Sequence, residues 1–194
     1  MGLLSLEQSK AAYRTDFALY GVTVTGLAIY LAWAVAASQR WTLVAWALLG
    51  LAGWTPIEYA LHRFVLHGLP PFRAWHALHH ARPTALVFAP TVLSGSLIGG
   101  VVFLPLLGLS GWWRACALTL GVLAGYLAYT LTHHAMHHGH RGSAWLMRRK
   151  RWHAQHHRVG ARGCYGVTSA FWDRVCGTDE APRRGATPHT GDST

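Results

Sequence analysis

Residues Trp112 to His140 read WWRACALTLGVLAGYLAYTLTHHAMHHGH. From Trp112 to Thr132 one charged side chain, Arg114, interrupts a run long enough to cross a bilayer core, which takes about 20 helical residues. The run passes directly into His133, His134, His137, His138 and His140. An apolar helix that delivers imidazoles where it leaves the membrane decides the reading of the chain: an all-α integral membrane protein with a metal-competent face.

Working outward, three more segments have this character. They run from Phe17 to Ala37, from Trp41 to Leu61 with Glu58 near the end, and from Ala85 to Leu107 with Pro90 and Pro105 inside. Ser38 to Arg40 and Gly108 to Gly111 leave room only for turns, so the spans pair as two helical hairpins. Gly95 with Gly99, and Gly121 with Gly125, form GxxxG patterns that permit close helix packing. No secretory signal is evident before Phe17, so the first span is expected to direct its own insertion. The chain is expected to be one membrane-embedded domain over residues 1–180. A tail over residues 181–194, rich in Pro, Gly, Thr and Arg, is expected to be disordered.

Composition agrees. Of 194 residues, 52% are hydrophobic and 12% charged, against about 25% charged in soluble domains. The 10 tryptophans suit bilayer interfaces. The net charge of +10 on so apolar a chain fits anionic headgroups, and no nucleic-acid partner is expected. Arg148-Arg149-Lys150-Arg151 reads as a lipid contact or as a docking patch for an acidic electron donor. Lys10, Arg14, Arg63, Arg73, Arg82 and the basic C-terminal region fall on one side of the membrane, Arg40 and Arg114 on the other. The positive-inside rule then puts both termini and every histidine burst in the cytoplasm. Cys116, Cys164 and Cys176 are odd in number and form no CxxC, so neither a disulfide framework nor a thiolate site is expected.

Nearly all the 14 histidines fall in four bursts. They are His62 and His67; His76, His79 and His80; the run from His133 to His140; and His153, His156 and His157. Residues three and four apart share a helical face, so HxxHH directs three imidazoles into one sector. His62 and His67 are five apart and align only across a helix end, a kink or a bulge. Eight to ten imidazoles exceed the needs of one ion of about four to six ligands, so two ions are expected. Zinc would make the site structural or hydrolytic. Iron at a lipid boundary would make it oxidative. Glu58, one helical turn before His62, reads either as an acceptor for a ligand's second N–H or as a helix-end acid.

Several stretches resemble a known family. Gly53-Trp54-Thr55-Pro56-Ile57-Glu58-Tyr59 leading into HRFVLH resembles the first histidine box of the fatty acid hydroxylase and sterol desaturase superfamily. Trp75-HALHH, Tyr129-TLTHHAMHH and Trp152-HAQHH resemble its second, third and fourth boxes, and Gly166-VTSAFWDRVCGT resembles the closing block of fatty acid 2-hydroxylases. The resemblance implies four transmembrane helices under a cytosolic, histidine-rich helical cap, with two iron ions, replaceable by zinc in a purified sample. It implies ligands at His62, His67, His76, His79, His80, His133, His137, His153, His156 and His157, with no catalytic side chain beyond them. His134 and His138 repeat the third-box spacing one residue on, but the residue after Thr132 matches the family better. Asp173 is expected to hydrogen-bond a liganding imidazole, and Phe171 and Trp172 either to line a ligand site or to pack the cap; His140 and His189 fit no box.

The implied reaction is hydroxylation of a lipid acyl chain, at the 2-position of a fatty acid, with O2 as co-substrate. The chain leaves no room for a fused cytochrome b5 domain, so electrons are expected from a separate donor of cytochrome b5, ferredoxin or reductase type. Pro83-Thr84-Ala85-Leu86 is shorter than the corresponding family stretch, which leaves the headgroup contacts open. Desaturation, or oxidation of a sterol or carotenoid, uses the same oxidant. A metal transporter is the reading from another class, but it should carry ionisable ligands near the bilayer midplane, where these spans have almost none.

Overall fold

A computed structural model describes residues 7–87, 89–158, 160 and 162–179; the expected tail and His189 lie outside them. Helix α1 spans Lys10–Ala34, and the Ser9 hydroxyl caps it by accepting from the Ala12 amide at 3.1 Å. A short 3-10 turn, Ala37–Gln39, leads to α2, Arg40–Ala60. Helix α3 spans Phe72–Ala81. Helix α4, Thr91–Leu97, continues through a π-helical segment, Ile98–Phe103, into α5, Leu104–Ser110. Gly111, at φ 80°, makes the turn into α6, Trp112–His138. Helix α7 spans Ala144–His156, and α8 is the short Phe171–Val175. Among the described residues the only bridge outside helices joins Glu7 and Val87.

Among the described residues, three helices are long and apolar enough to cross a membrane: Lys10–Ala34, Thr91–Ser110 and Trp112–His138. The most apolar stretch of α6 is 56% buried, against 11% for α1 and 6% for Thr91–Ser110, so α6 is the central post. Helix α2 is 21 residues long but carries Thr55, Pro56 and Glu58 toward its histidine end, where it serves the site more than the bilayer. The third span starts later than the sequence suggests. Residues 85–87, 89 and 90 are not helical; Pro90 holds an extended ψ of 134° at the N-cap and disfavours helix in the residue before it.

Helices α2 and α6 meet backbone to backbone. A Cβ at Gly121 would overlap the Ala47 carbonyl oxygen, and one at Gly50 would overlap that of Leu118. Gly125 sits against the Trp54 ring. The other GxxxG does no such packing: nothing lies within 4 Å of a Cβ at Gly99, and only the Tyr20 hydroxyl at 3.9 Å is near one at Gly95. One core gathers Tyr20, Trp54, Ile98, Val122, Leu123 and Tyr126; a second gathers Leu31, Val35, Leu43, Cys116 and Ala117. Around them Val22, Val101 and Leu109 stand out into the surroundings, an apolar exterior that only lipid would solvate. Trp33 and Trp41, 84% and 82% exposed, and Trp112 gather at the end away from the histidines, as an interfacial aromatic belt does.

A polar tie crosses the bundle that the sequence did not single out. Asp16 on α1 is buried and accepts from the Thr91 hydroxyl, and the Tyr20 and Ser94 hydroxyls bond at 2.7 Å. These contacts fasten α1 to α4, which otherwise share little core.

Candidate metal centre

Pro56 prepares the first pair of imidazoles. It lacks an N–H for the Ala52 carbonyl, and the Thr55 hydroxyl takes that acceptor instead at 2.8 Å. Helix α2 then widens into a π-helical segment, Leu61–Leu66, closed by the His67 amide on the His62 carbonyl at 3.2 Å. An i to i+5 turn is what stacks residues five apart, and the His62 and His67 rings come within 5.3 Å. The bulge required by the HxxxxH spacing is there.

The ten box histidines form two groups of five, within each of which the ligand atoms all lie within 4.8 Å of one another. His62, His67, His76, His80 and His156 make the first; His79, His133, His137, His153 and His157 make the second. Each HxxHH keeps its three imidazoles in one helical sector but divides them between the two groups. Helix α3 sends His76 and His80 to the first group and His79 to the second. Helix α7 sends His153 and His157 to the second and His156 to the first. Residues i and i+4 lie nearly one above the other, whereas i+3 leans to the other side of the stripe. Each group thus takes two imidazoles from the end of a long helix, two from one cap helix, and one from the other.

His134 and His138 join neither group. They stack at 4.6 Å on the adjacent face of α6, where the Tyr13 hydroxyl meets His134 Nδ1 at 3.1 Å. His140 is exposed beyond the helix end. Lys150 donates to the Gly139 carbonyl at 2.7 Å and so fastens α7 to the negative end of α6. Of the basic run, Arg148 and Arg151 remain exposed.

The donor atoms fit a cation. In the first group Nε2 of His62 stands 3.0 Å from that of His76, and Nε2 of His80 stands 3.1 Å from those of His76 and His156. His67 and His156 approach at 3.0 Å. In the second, His153 Nε2 lies 2.9 Å from His137 Nε2 and 3.0 Å from His157 Nε2. His62 Nδ1 donates to the Tyr165 carbonyl, and His156 Nδ1 to that of Gly163 at 2.9 Å. A carbonyl only accepts, so these two Nδ1 atoms carry the protons and their Nε2 lone pairs point inward. Burial, reinforced by neighbouring imidazoles, pushes His79 down to about 3, His80 to about 4 and His157 to about 2. Burial likewise pushes His156 down to about 3, against the opposing pull of the Gly163 carbonyl. His62, His76 and His153 are lowered for the same reason, burial first and like charge second. Neutral imidazoles with convergent lone pairs are the ligand form for a transition metal.

Neither acid touches an imidazole, which corrects the expected Asp173 contact and removes the first of the two readings left open for Glu58. Glu58 accepts from the Val167 and Thr168 amides at 2.8 and 2.9 Å and from the Thr168 hydroxyl at 2.6 Å. Asp173, fully buried, accepts from the Tyr165 and Gly166 amides, both at 2.8 Å, from the Thr178 hydroxyl at 2.8 Å and from the Trp152 indole at 3.3 Å. Trp172 donates to the Thr55 hydroxyl at 3.0 Å, and Phe171 is 57% exposed, so this block packs the C-terminal segment onto α2 and does not line the cavity beside the histidines. The acceptors behind His62 and His156, the Tyr165 and Gly163 carbonyls, escaped sequence reasoning because any residue supplies a carbonyl.

A cavity of about 210 Å³ opens beside the groups. Leu61, Val65, Phe72, Leu93 and Leu97 form apolar walls, and Val87 and Ala89 close one side where the chain is not yet helical. His62 and His76 of the first group and His79 and His133 of the second face it. A single apolar space therefore reaches both groups.

Residues 47–178 match the family model described as fatty acid hydroxylase. The ceramide very long chain fatty acid hydroxylase scs7 of Schizosaccharomyces pombe is 31% identical over 83% of this chain and 46% of its own length. The dihydroceramide fatty acyl 2-hydroxylase FAH2 of Arabidopsis thaliana is 36% identical over 63% of this chain and 55% of its own. The human fatty acid 2-hydroxylase is 32% identical over 60% and 34%. The chain thus spans about half or less of these relatives. A solved structure described as full-length scs7p, with only the hydroxylase domain visible, superposes with a TM-score of 0.73 at 25% identity, over 91% of this chain and 70% of that one. With its ordered histidine boxes, its apolar membrane helices and a family match over most of its length, this chain is a membrane protein that belongs to the fatty acid hydroxylase family.

Proposed function

We propose that this chain is a di-iron oxygenase that hydroxylates a lipid acyl chain, at the 2-position of a fatty acid, with O2 and with electrons from a separate donor. The observation that carries the reading is the apolar cavity that reaches both five-histidine groups. His62, His67, His76, His80 and His156 would hold one ion, and His79, His133, His137, His153 and His157 the other. When bound, the pair supplies activation of O2, so that one oxygen atom enters a C–H bond and the other leaves as water with two electrons and two protons. The residues of this chain do the rest. Leu61, Val65, Leu93 and Leu97 exclude water and take up an apolar tail, and the rigid helix ends hold one carbon near the ligand cluster. The printed names of the relatives, 2-hydroxylases and ceramide fatty acid hydroxylases, support that substrate class.

Expression in cells followed by lipid profiling tests this. Acyl chains should gain the mass of one oxygen, with the hydroxyl beside the carbonyl. Loss of two hydrogens would show desaturation and overturn the hydroxylase reading. Purified protein should hold about two transition-metal ions per chain, zinc partly replacing iron because zinc stands above Fe(II) in the usual affinity order. Folded protein without metal, after purification free of chelators, would sink the dimetal reading.

The membrane arrangement belongs to the same proposal: four helices in two hairpins, with the histidine cap and both termini in the cytoplasm. The belt of Trp33, Trp41 and Trp112 at the opposite end supports it. Cys176 is exposed, whereas Cys116 and Cys164 are buried, so one native thiol reports the side. A membrane-impermeant maleimide should label Cys176 only after the membrane is opened. Labelling of intact cells would reverse the orientation.

A further inference from the structure

The two imidazole groups are assembled alike but are not held alike. In the first, His62 and His156 each donate Nδ1–H to a backbone carbonyl. In the second, the buried Nδ1 atoms of His153 and His157 and both ring nitrogens of His79 meet no hydrogen-bond acceptor among the described residues. An acceptor behind a ligating imidazole fixes its tautomer and orientation and raises its basicity.

The two carbonyls are themselves fixed. A trans peptide is planar, so the N–H of one residue and the C=O of the residue before it are locked in opposite directions. The Gly166 amide donates to Asp173 Oδ2 at 2.8 Å, which turns the Tyr165 carbonyl the other way, onto His62. The Cys164 amide donates to the Thr178 carbonyl at 2.7 Å, which likewise turns the Gly163 carbonyl onto His156. Every amide from Cys164 to Thr168 is engaged: Thr178 takes the first, Asp173 the next two and Glu58 the last two. Cys164 holds φ at 57°, a conformation that a non-glycine residue keeps only when its surroundings dictate it. A Cβ at Gly166 would overlap the Ser169 carbonyl oxygen and stand 2.8 Å from Asp173 Oδ2, so this turn admits only glycine.

Resting on the dimetal reading above, we propose that residues 163–168 form a positioning strap, anchored by Glu58 and Asp173, that makes the first group the tighter of two unequal metal sites. The second group fills last and empties first. Asp173 acts on a ligand through one peptide plane, in the sequence carboxylate, Gly166 amide, Tyr165 carbonyl and His62 ring. The strap serves both members of the first group that have a carbonyl behind them and no member of the second with a buried, unsatisfied Nδ1.

The test is a cobalt(II) titration of the full chain in detergent after its metal has been stripped, followed by visible absorption and by bound metal per chain. Wild type should fill in two steps separated by about tenfold or more in affinity. His79→Ala should remove the weaker step and His67→Ala the tighter one, which assigns the steps to the groups. Asp173→Asn places an amide donor among four donors at nearly the same volume. It should weaken the tighter step by about 10- to 100-fold and alter its absorption bands, while the weaker step stays within roughly threefold. Thr168→Val removes only the hydroxyl bond to Glu58 and keeps both amide bonds; it should weaken the tighter step alone, by a smaller factor. It decides the matter with wild type if Asp173→Asn loses its helical circular dichroism. Two ions bound with one affinity, or both steps weakened equally by a folded strap variant, overturn the strap but leave the dimetal reading standing. No cobalt uptake by folded wild type overturns both.

Discussion

His79→Ala is expected to leave about one metal ion per chain, held by the first group, and His80→Ala about one ion held by the second, although the two histidines are adjacent in sequence. The split of each HxxHH across both groups produces this result. His156→Ala and His157→Ala should show the same inversion from α7. Removing a ligand should lower retention at its own site by more than the roughly 10- to 100-fold that loss of a supporting hydrogen bond costs. Activity should fall about 1,000-fold or more in all four variants if, as proposed, hydroxylation needs both ions in place. Elemental analysis with lipid turnover in detergent checks both halves. His140→Ala and His189→Ala should keep metal and turnover, because neither fits a histidine box and His140 is exposed. If His79 and His80 emptied the same site, the partition would be wrong; if His140→Ala matched them, so would the ligand set.

This partition shows where sequence reasoning stops. Periodicity revealed that His76, His79 and His80 share one helical stripe, and that His62 and His67 need a helix end, a kink or a bulge between them. Both statements concern a single helix. Which side of the stripe meets which neighbour depends on how α3 and α7 lie across the ends of α2 and α6, and no local pattern encodes that. The choice of His133 over His134 came from the register of a familiar motif; in the structure one face of α6 carries His133 and His137 to the second group while the next carries His134 toward Tyr13. Glu58 stood out for its place one helical turn before His62, and Asp173 for its place in the closing block after the fourth box. Their targets were misread because those targets are backbone amides. Span lengths were legible from hydropathy, but the start of the third was not. Apolar residues 85–89 continue the hydropathy of the span, but the helix starts only after Pro90, and Val87 and Ala89 line the cavity instead.

The two GxxxG motifs are indistinguishable in sequence and should respond oppositely to the same change. Gly121 lies where α6 crosses α2, and a Cβ there would overlap the Ala47 carbonyl oxygen and come within 2.6 Å of the Leu51 amide nitrogen. Both neighbours are backbone, which cannot rotate aside, so Gly121→Leu must push the helices apart. Overpacking typically costs about 1–3 kcal/mol and occasionally more, and a clash with main chain belongs at or above the upper end. About 3 kcal/mol would lower the unfolding midpoint by roughly 6–12 °C in a chain of this size. The site should suffer with the fold. Helix α2 leads into His62 and His67, and α6 carries His133 and His137, so separating the two helices separates the groups. Gly99→Leu is the control. Its Cβ meets nothing within 4 Å, it lies in a span that is only 6% buried, and leucine is the better helix former by nearly 1 kcal/mol. It should keep its midpoint within about 2 °C of wild type or slightly above it, together with its full metal content. Thermal unfolding in detergent, followed by helical circular dichroism and by bound metal, compares the pair. Equal losses from both substitutions would mean that close approach of α2 and α6 is not what holds the two halves of the metal centre together.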